Sequence, residues 1–467
     1  MSLKKKTIAL CLGGTEKQYR ATFVTKITET CRNYHYQLAY FLSFSNFYDG
    51  SKHNRGDLNI YQLINFDEIA AMIIFPETIN QPELCRRLIN AAHAANVPVV
   101  SVDEPLEDCY NIRFADEEGL EEIITHFIEE HKFTKLNFIA GAKDTPVSDR
   151  RLAVYKRVLE EYHIPVEERR IAYGDFWSRP AQEAVELFYW NYNEMPEAFI
   201  CANDAMALGV VEKLEELGFR VPEDVCVSGF DGIPAAFSSS PKITTTKRYV
   251  ERAAIAAVDA CIEIIEGRLP STGTTSIPNK TFFLESCGCN ELSYLMDNVS
   301  SGADSVDSNT YRVFSYHMIH MMSRGMEERD FAKTIAAIRS ICELLWTKKC
   351  WLVLSEQYLQ QCKTHTFSTP LQKDGYPDWM RVVIEVENHV SLEPSGESFP
   401  VSEMLPRFEE EMADYGSVLF APIHFQDETI GYIALEYHDL RESLAVFETF
   451  VFNVGVLLEH IRVPHID

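Results

Sequence analysis

From Thr7 to about Cys289, short and nearly continuous apolar runs alternate with amphipathic helical stretches, and this alternation restricts the fold more than any other feature. The runs fall at 7–12, 71–75, 98–103, 135–141, 198–203 and 225–231. Strands without a polar face are expected to be parallel and covered on both sides. Between them, Leu120, Ile123, Ile124, Phe127 and Ile128 form one helical stripe. A second helix carries Leu208, Val211, Leu214 and Leu217 and stops at Gly218. A third carries Ala253, Ala257, Cys261, Ile264 and Ile265 before Gly267. Strand-helix alternation of this kind predicts a doubly wound α/β fold with parallel sheets.

The pattern changes after a polar, small-residue stretch at 300–309, which reads as part of a linker over 291–310. Helical patterns at 311–324 and 331–345 are followed by strand candidates at 350–355, 381–386, 417–425 and 429–437. The last two, separated by Gln426-Asp427-Glu428, read as an antiparallel hairpin. A final helix presents Phe447, Phe450, Val451, Val454, Leu458 and Ile461 on one face. Residues 311–463 therefore read as a separate α+β domain, and 467 residues are enough for two or three domains.

Charge and motif content exclude several function classes. The formal net charge is −27, and no basic helix-turn-helix stands at either end, so direct nucleic-acid binding is not expected. No stretch approaches the ~18 apolar residues of a membrane span. The basic start before 7–12 reads as the approach to a first strand, not as a signal peptide, which places the chain in the cytoplasm. Twelve cysteines are scattered singly, apart from Cys287 and Cys289. Without a CxxC pair or a His/Cys set at zinc spacing, they read as buried thiols, with no metal and no cofactor. His317 and His320, among Met318, Met321 and Met322, fit a partner or core face better than a metal or haem site. Cys11-Leu-Gly-Gly14 lacks the spacing of a phosphate loop, and neither a G-x-S-x-G elbow nor HExxH occurs. No catalytic residues are assigned, and the chain reads as a non-enzyme.

The segment Ala198-Phe-Ile-Cys-Ala-Asn-Asp-Ala-Met-Ala-Leu-Gly209, with Leu217-Gly-Phe-Arg-Val-Pro-Glu-Asp-Val-Cys-Val-Ser-Gly-Phe-Asp231, closely resembles the lactose/purine-repressor (LacI/PurR) family. Residues 71–76, 98–103, 116–141, 148–155 and 241–247 are similar to further segments of that family, so the resemblance spans roughly residues 6–290. It departs at Lys17-Gln18-Tyr19-Arg20 and at Val154, and the chain opens at the first sensor strand without the family's DNA-binding headpiece. The ending Glu285-Ser-Cys-Gly-Cys289 is similar to sensor domains fused to other signalling modules, and 311–463 resembles a GAF-type domain more weakly.

The resemblance implies a type 1 periplasmic-binding-protein fold with two lobes. One is expected at about 6–106 and 248–277, the other at about 110–243 and 281–290, with ligand held between them. Arg151 matches the family's ligand-binding arginine, a planar fork suited to paired hydroxyls or a carboxylate. Asp231 matches a ligand-accepting aspartate, or else forms the turn before Gly232. Asn203 and Asp204 either cap the following helix, face ligand, or do both. Phe176 and Trp177 match an aromatic position against a sugar face, with core packing as the alternative. Tyr19, Arg20 and Arg248 are further candidates, whereas Asp116 reads as a helix N-cap. In the C-terminal region Trp346, Trp351, Phe420, Phe425 and Tyr437 either line a pocket or form core.

The resulting expectation is the ligand-sensing portion of a bacterial transcriptional or signalling regulator. It would bind a small sugar-like molecule, act as a homodimer and pass closure of its lobes to an output module. Alternatives are a solute-binding protein of a transporter, or the sensory fragment of a diguanylate cyclase of the GGDEF type. AraC-type DNA-binding outputs also accompany such sensors.

Overall fold

The computed structural model describes residues 6–14, 18–44, 52–192, 195–290, 308–327, 330–345, 347–364, 369–437 and 444–462. In chain order the first part comprises β1 (Thr7–Gly13), α1 (Gln18–Asn33), β2 (Gln37–Ser43), α2 (Lys52–Asp57), β3 (Ile69–Ile74), α3 (Pro76–Ile79), α4 (Pro82–Ala94), β4 (Val99–Val102) and β5 (Tyr110–Phe114). Next come α5 (Asp116–Glu129), β6 (Leu136–Ala140), α6 (Pro146–Glu161), β7 (Ile171–Tyr173), α7 (Ser178–Tyr192), β8 (Ala198–Cys201), α8 (Asp204–Glu216), β9 (Cys226–Ser228) and α9 (Pro234–Ser238). They are followed by β10 (Thr245–Lys247), α10 (Val250–Ile265), β11 (Gly273–Ile277) and β12 (Lys280–Phe282). The C-terminal part holds α11 (Ser308–Glu327), α12 (Phe331–Cys342), β13 (Lys349–Ser355), α13 (Glu356–Thr364), β14 (Trp379–Glu387), β15 (Val390–Leu392), β16 (Ser398–Pro400), α14 (Phe408–Tyr415), β17 (Ser417–Phe425), β18 (Glu428–Glu436) and α15 (Leu444–Arg462).

Contacts divide the chain into two units. The first gathers Met1–Arg113, Val250–Thr275 and Asp304–Asp467, and the second Phe114–Tyr249 and Ser276–Ala303.

In the first unit one sheet runs β11-β5-β4-β3-β1-β2-β17-β18-β13-β14-β15, with β16 also paired to β14. The segment from β5 to β2 is parallel. From β17 onward neighbouring strands are antiparallel. The join is a parallel pairing of β17 with β2, in the register Ser417↔Leu38 to Phe420↔Phe41. β17 thus has hydrogen-bonded neighbours on both sides, and α14 and α15 both pack against it; Ser417–Ile423 is buried without alternation. One core runs across the join, including Phe41, Ile60, Tyr61, Trp351, Met404, Phe420 and Tyr432. Behind the antiparallel part, α15 is held by the Tyr358 hydroxyl, which donates to the Leu458 carbonyl at 2.7 Å.

The second unit is built on the four-stranded parallel sheet β7-β6-β8-β9. The two-stranded antiparallel ribbon β10-β12 stands beside it. The stripe read from the sequence is realised: Leu120, Ile123, Ile124 and Phe127 of α5 are wholly buried. Their core includes Phe138 and Tyr155, whose rings stack at 4.9 Å. The Tyr155 hydroxyl donates to the Leu136 carbonyl at 2.7 Å and so satisfies its one polar atom.

Candidate functional site

Strands β6, β8 and β9 end at Ala140, Cys201 and Ser228, and the loops beyond those carboxyl ends converge with the first turns of α5 and α6. Open parallel sheets place binding groups at that edge. Arg151, in α6, is 6% exposed. Its Nη1 donates to the Ala202 carbonyl, and its Nη2 reaches Asp231 Oδ1 at 3.2 Å and Asp116 Oδ2 at 3.4 Å. The guanidinium lies 4.2 Å from the centre of the Phe230 ring. Asp116 also accepts from Asn279 Nδ2 at 2.9 Å and pairs with Arg248 Nε at 3.2 Å. Arg248 in turn lies over Phe114 at 4.0 Å. The four ionic groups form an alternating series, Asp231–Arg151–Asp116–Arg248. Each cation has a carboxylate and an aromatic face, which offsets the cost of removing it from water.

The reading of Asp116 as an N-cap is corrected. Ala115 holds the cap position without a side-chain bond, and Asp116 is the first residue of α5. Freed from capping, its carboxylate becomes the centre of the ionic series. Asn203 does cap α8, accepting from Met206 N at 2.9 Å, and its Nδ2 donates to the Phe176 carbonyl at 3.0 Å. Asp204 is fully buried. It accepts from the Thr245 hydroxyl at 2.6 Å and from Ile233 N at 2.9 Å, which is an internal bracing role. Burial pushes its carboxyl well above the ordinary range and neighbouring Asp231 adds to the rise, while Thr245 and the backbone N–H groups of Ile233 and Gly232 pull against it. Asp231 has φ 104°, an unusual conformation for a residue with a side chain, and its carboxylate is partly exposed.

Phe176 is half-buried, and its ring lies against the Gly141 backbone, where a Cβ would come within 1.9 Å of Cζ. Gly141 is therefore needed for space. Trp177 is 57% exposed and does not join the cluster core. Tyr19 and Arg20 fall within α1, but their side chains lie outside the described residues.

Sequence reasoning did not assign Ser148 or Asn279 to the site. Ser148 Oγ, Asn279 Oδ1 and Arg151 Nε are buried and have no hydrogen-bond partner among the described residues. Three unanswered polar atoms beside one cluster are costly unless another group meets them. Ser148 stood in the quoted 148–155 segment, whereas Asn279 lies in a short turn with no motif. The cluster offers a planar fork of donors with carboxylate acceptors beside it, the chemistry that holds hydroxyl-rich or amide-bearing molecules.

Elsewhere, Trp351, Phe420 and Tyr437 are core, Phe425 is half-buried and Trp346 lies outside the described residues. On α11, Met318 and Met321 are buried while His320 is exposed against the Tyr316 ring. Although no His/Cys set stands at zinc spacing along the chain, folding brings His126, His131, Cys287 and Cys289 together.

Residues 124–287 match the family model described as a periplasmic binding protein-like domain. Within this stretch lie α6 and the parallel sheet that position Arg151. Among curated proteins the chain is similar to the probable HTH-type transcriptional repressor ExuR of Bacillus subtilis (strain 168), 28% identical over 240 residues, covering 49% of this chain and 70% of the relative. It is 32% identical over 176 residues to the HTH-type transcriptional repressor PurR of Vibrio atlanticus (strain LGP32), covering 37% of this chain and 52% of that one. Among solved structures, the lac repressor dimer bound to operator and an anti-inducer aligns with TM-score 0.53 at 18% identity, covering 61% of this chain and 95% of that chain. A transcriptional regulator CelR–cellobiose complex aligns with TM-score 0.52 at 20% identity, covering 61% of this chain and 85% of that chain. These structures bear on the fold: a mixed α/β domain with parallel sheets, of the kind found in LacI-family sensors. Among the described residues no helix is long and apolar enough to cross a membrane.

Proposed function

We propose that this chain is the ligand-sensing portion of a bacterial regulator, and that the Arg151 cluster binds a small polar molecule, a sugar or sugar derivative. The observation that carries this reading is the buried Arg151, paired to Asp116 and Asp231, with its Nε, Ser148 Oγ and Asn279 Oδ1 all without hydrogen-bond partners among the described residues. A structural arginine would be expected to have its donors answered from within the protein. The relatives named as transcriptional repressors support a regulatory role. The Asn203 cap holds the backbone carbonyl of the half-buried Phe176, the aromatic we take as the apolar part of the site.

Further parts of the proposal are that the chain acts as a homodimer and that residues 311–463 form a GAF-like domain relaying the signal. The helices and the antiparallel arrangement β17-β18-β13-β14 support the second point. With a net charge of −27, contact with DNA would fall to another chain or domain.

The test is calorimetric and thermal-shift titration with monosaccharides, disaccharides, sugar acids, sugar phosphates and purines, on the full chain and on Arg151→Gln. A ligand at about 100 times its Kd stabilises the native state by about 2.7 kcal/mol. A sugar hit that disappears in Arg151→Gln, with the variant still folded, supports the proposal. A purine hit redirects the ligand class. A sugar hit that survives in the variant moves the site elsewhere.

A further inference from the structure

His126 lies in the last turn of α5, and His131 follows just beyond it. The chain leaves the helix at Glu130 and turns back through Lys132, which has φ 60°. The two Nε2 atoms are brought to 3.1 Å. About 160 residues later, after β12, a short turn carries Cys287-Gly288-Cys289. Gly288 has φ 83°, which L side chains rarely adopt, and a Cβ there would meet nothing closer than Pro222 at 3.9 Å. Glycine is thus demanded by backbone conformation alone, and the turn lets both thiols face the histidine pair. Cys289 Sγ lies 3.5 Å from His126 Nε2 and 3.8 Å from His131 Nε2, and Cys287 Sγ lies 3.8 Å from His126 Nε2. All four ligand atoms fall within 4.8 Å of one another.

The four separations of 3.1 to 3.8 Å lie near the edges of a coordination tetrahedron. Zn–N bonds of about 2.05 Å and Zn–S bonds of about 2.3 Å put nitrogens about 3.3 Å apart, and nitrogen and sulfur about 3.6 Å apart. Two imidazole nitrogens 3.1 Å apart make at most one hydrogen bond; Cys287 Sγ donates to the Leu284 carbonyl at 3.2 Å, and the Cys289 thiol adds only a weak donor beside the imidazoles. Two thiolates and two neutral imidazoles balance a divalent cation and match its preference for a tetrahedral S2N2 set. The surroundings suit a closed structural site: Phe283 stacks on His126 at 3.9 Å, and Cys287 is buried.

We propose that His126, His131, Cys287 and Cys289 bind one zinc ion, which clips the end of α5 to the turn that closes the sensor fold. Binding replaces the two thiol protons, which are released to solvent, and no electron is transferred. The clip stands just before residues 291–307, the stretch that leads toward α11. It is independent of the Arg151 cluster and would leave ligand preference unchanged.

The test uses the full chain, purified without an affinity tag or chelator. Elemental analysis should find about one zinc per chain. Removing it should lower the thermal midpoint, and adding Zn2+ back should restore it. Metal-stripped protein titrated with Co2+ should develop tetrahedral d–d bands with thiolate charge-transfer intensity for two sulfurs. Cys287→Ser with Cys289→Ser should abolish both zinc and the charge-transfer band. If that variant does not fold, the cobalt spectrum of the wild-type chain still decides. Three results would overturn the proposal: no zinc as purified together with no cobalt–thiolate band, a Cys287–Cys289 disulfide in protein handled without oxidant, or undiminished zinc in the folded double variant.

Discussion

Phe41 of β2 and Phe420 of β17 stack with ring centroids 5.1 Å apart and planes 8° from parallel, and they are direct partners in the ladder that joins the two strands. Both are wholly buried. The pair ties the N-terminal strands to the C-terminal region by backbone hydrogen bonds and by core. Phe420→Ala should therefore destabilise the first unit by about 3–5 kcal/mol. Urea unfolding followed by tryptophan fluorescence and by circular dichroism should shift together. A shift confined to one probe would mean that the shared core does not fold as one.

Ending the chain near residue 290 should be more damaging than a domain boundary would allow. It strips β17 from β2 and leaves Leu38–Leu42, a buried strand, as an open edge. Such edges pair with other chains. Size-exclusion chromatography should show the shortened chain as aggregate or insoluble, where the full chain elutes as a discrete species.

Arg151→Met should cost stability as well as ligand binding. It leaves Asp116 and Asp231 near one another without the cation between them, although Asp116 keeps Arg248 and Asn279. Because both carboxylates are partly exposed, a loss of about 2–3 kcal/mol is expected, below the usual figure for a fully buried pair. Asp231→Asn made on top of Arg151→Met should cost less than it does alone, and a double-mutant cycle should return a coupling of about 1–2 kcal/mol. Strict additivity would mean that the pair is not formed in solution.

Asp204 gives the molecule a pH dependence of definite sign. Its carboxyl is raised in the folded state, chiefly by burial, so the folded chain holds a proton that the unfolded chain gives up at lower pH. Stability from this group is therefore lost as pH rises above the unfolded value of about 3.9 toward the folded one. Asp204→Asn removes that loss, and its amide can still accept from Ile233 N and donate to the Thr245 hydroxyl. The thermal midpoint of the variant should gain on the wild type as pH rises above the ordinary carboxylate range. A constant difference would show that the carboxyl stays ionised when folded.

Asn203→Ala removes the cap of α8 and the bond to the Phe176 carbonyl. Chemical denaturation should report a loss of about 1–2 kcal/mol, whereas Asn203→Asp should retain the cap and lose less.

The sequence disclosed most where burial leaves a one-dimensional trace. Strands β1, β3, β4, β6 and β8 lie within one or two residues of the apolar runs, because a parallel strand covered on both faces has nowhere to place a polar side chain. The hairpin of β17 and β18 was legible because only Gln426 and Asp427 separate the strands. Strand β2 was not picked out, and its pairing with β17 had no local signal. The unalternating run Ser417–Ile423 did hint that β17 is interior, but it did not name the neighbour. At the candidate site, Arg151, Asp231 and Asn203 were singled out through motif resemblance. Asp116 was misassigned because an aspartate at a helix start looks alike whether it caps or lies one residue further in. The His126–Cys289 cluster was invisible because its halves are brought together by the return of β12, not by spacing.

The sheet that runs unbroken from β5 through β2 and β17 to β15 also bears on how such a protein can be rearranged. A cut near residue 310 passes through a composition boundary but severs a hydrogen-bonded ladder. Moving the first unit onto a different partner domain would succeed only if β17 and β18 travel with β1 and β2. A useful seam for recombination would have to lie beyond α15.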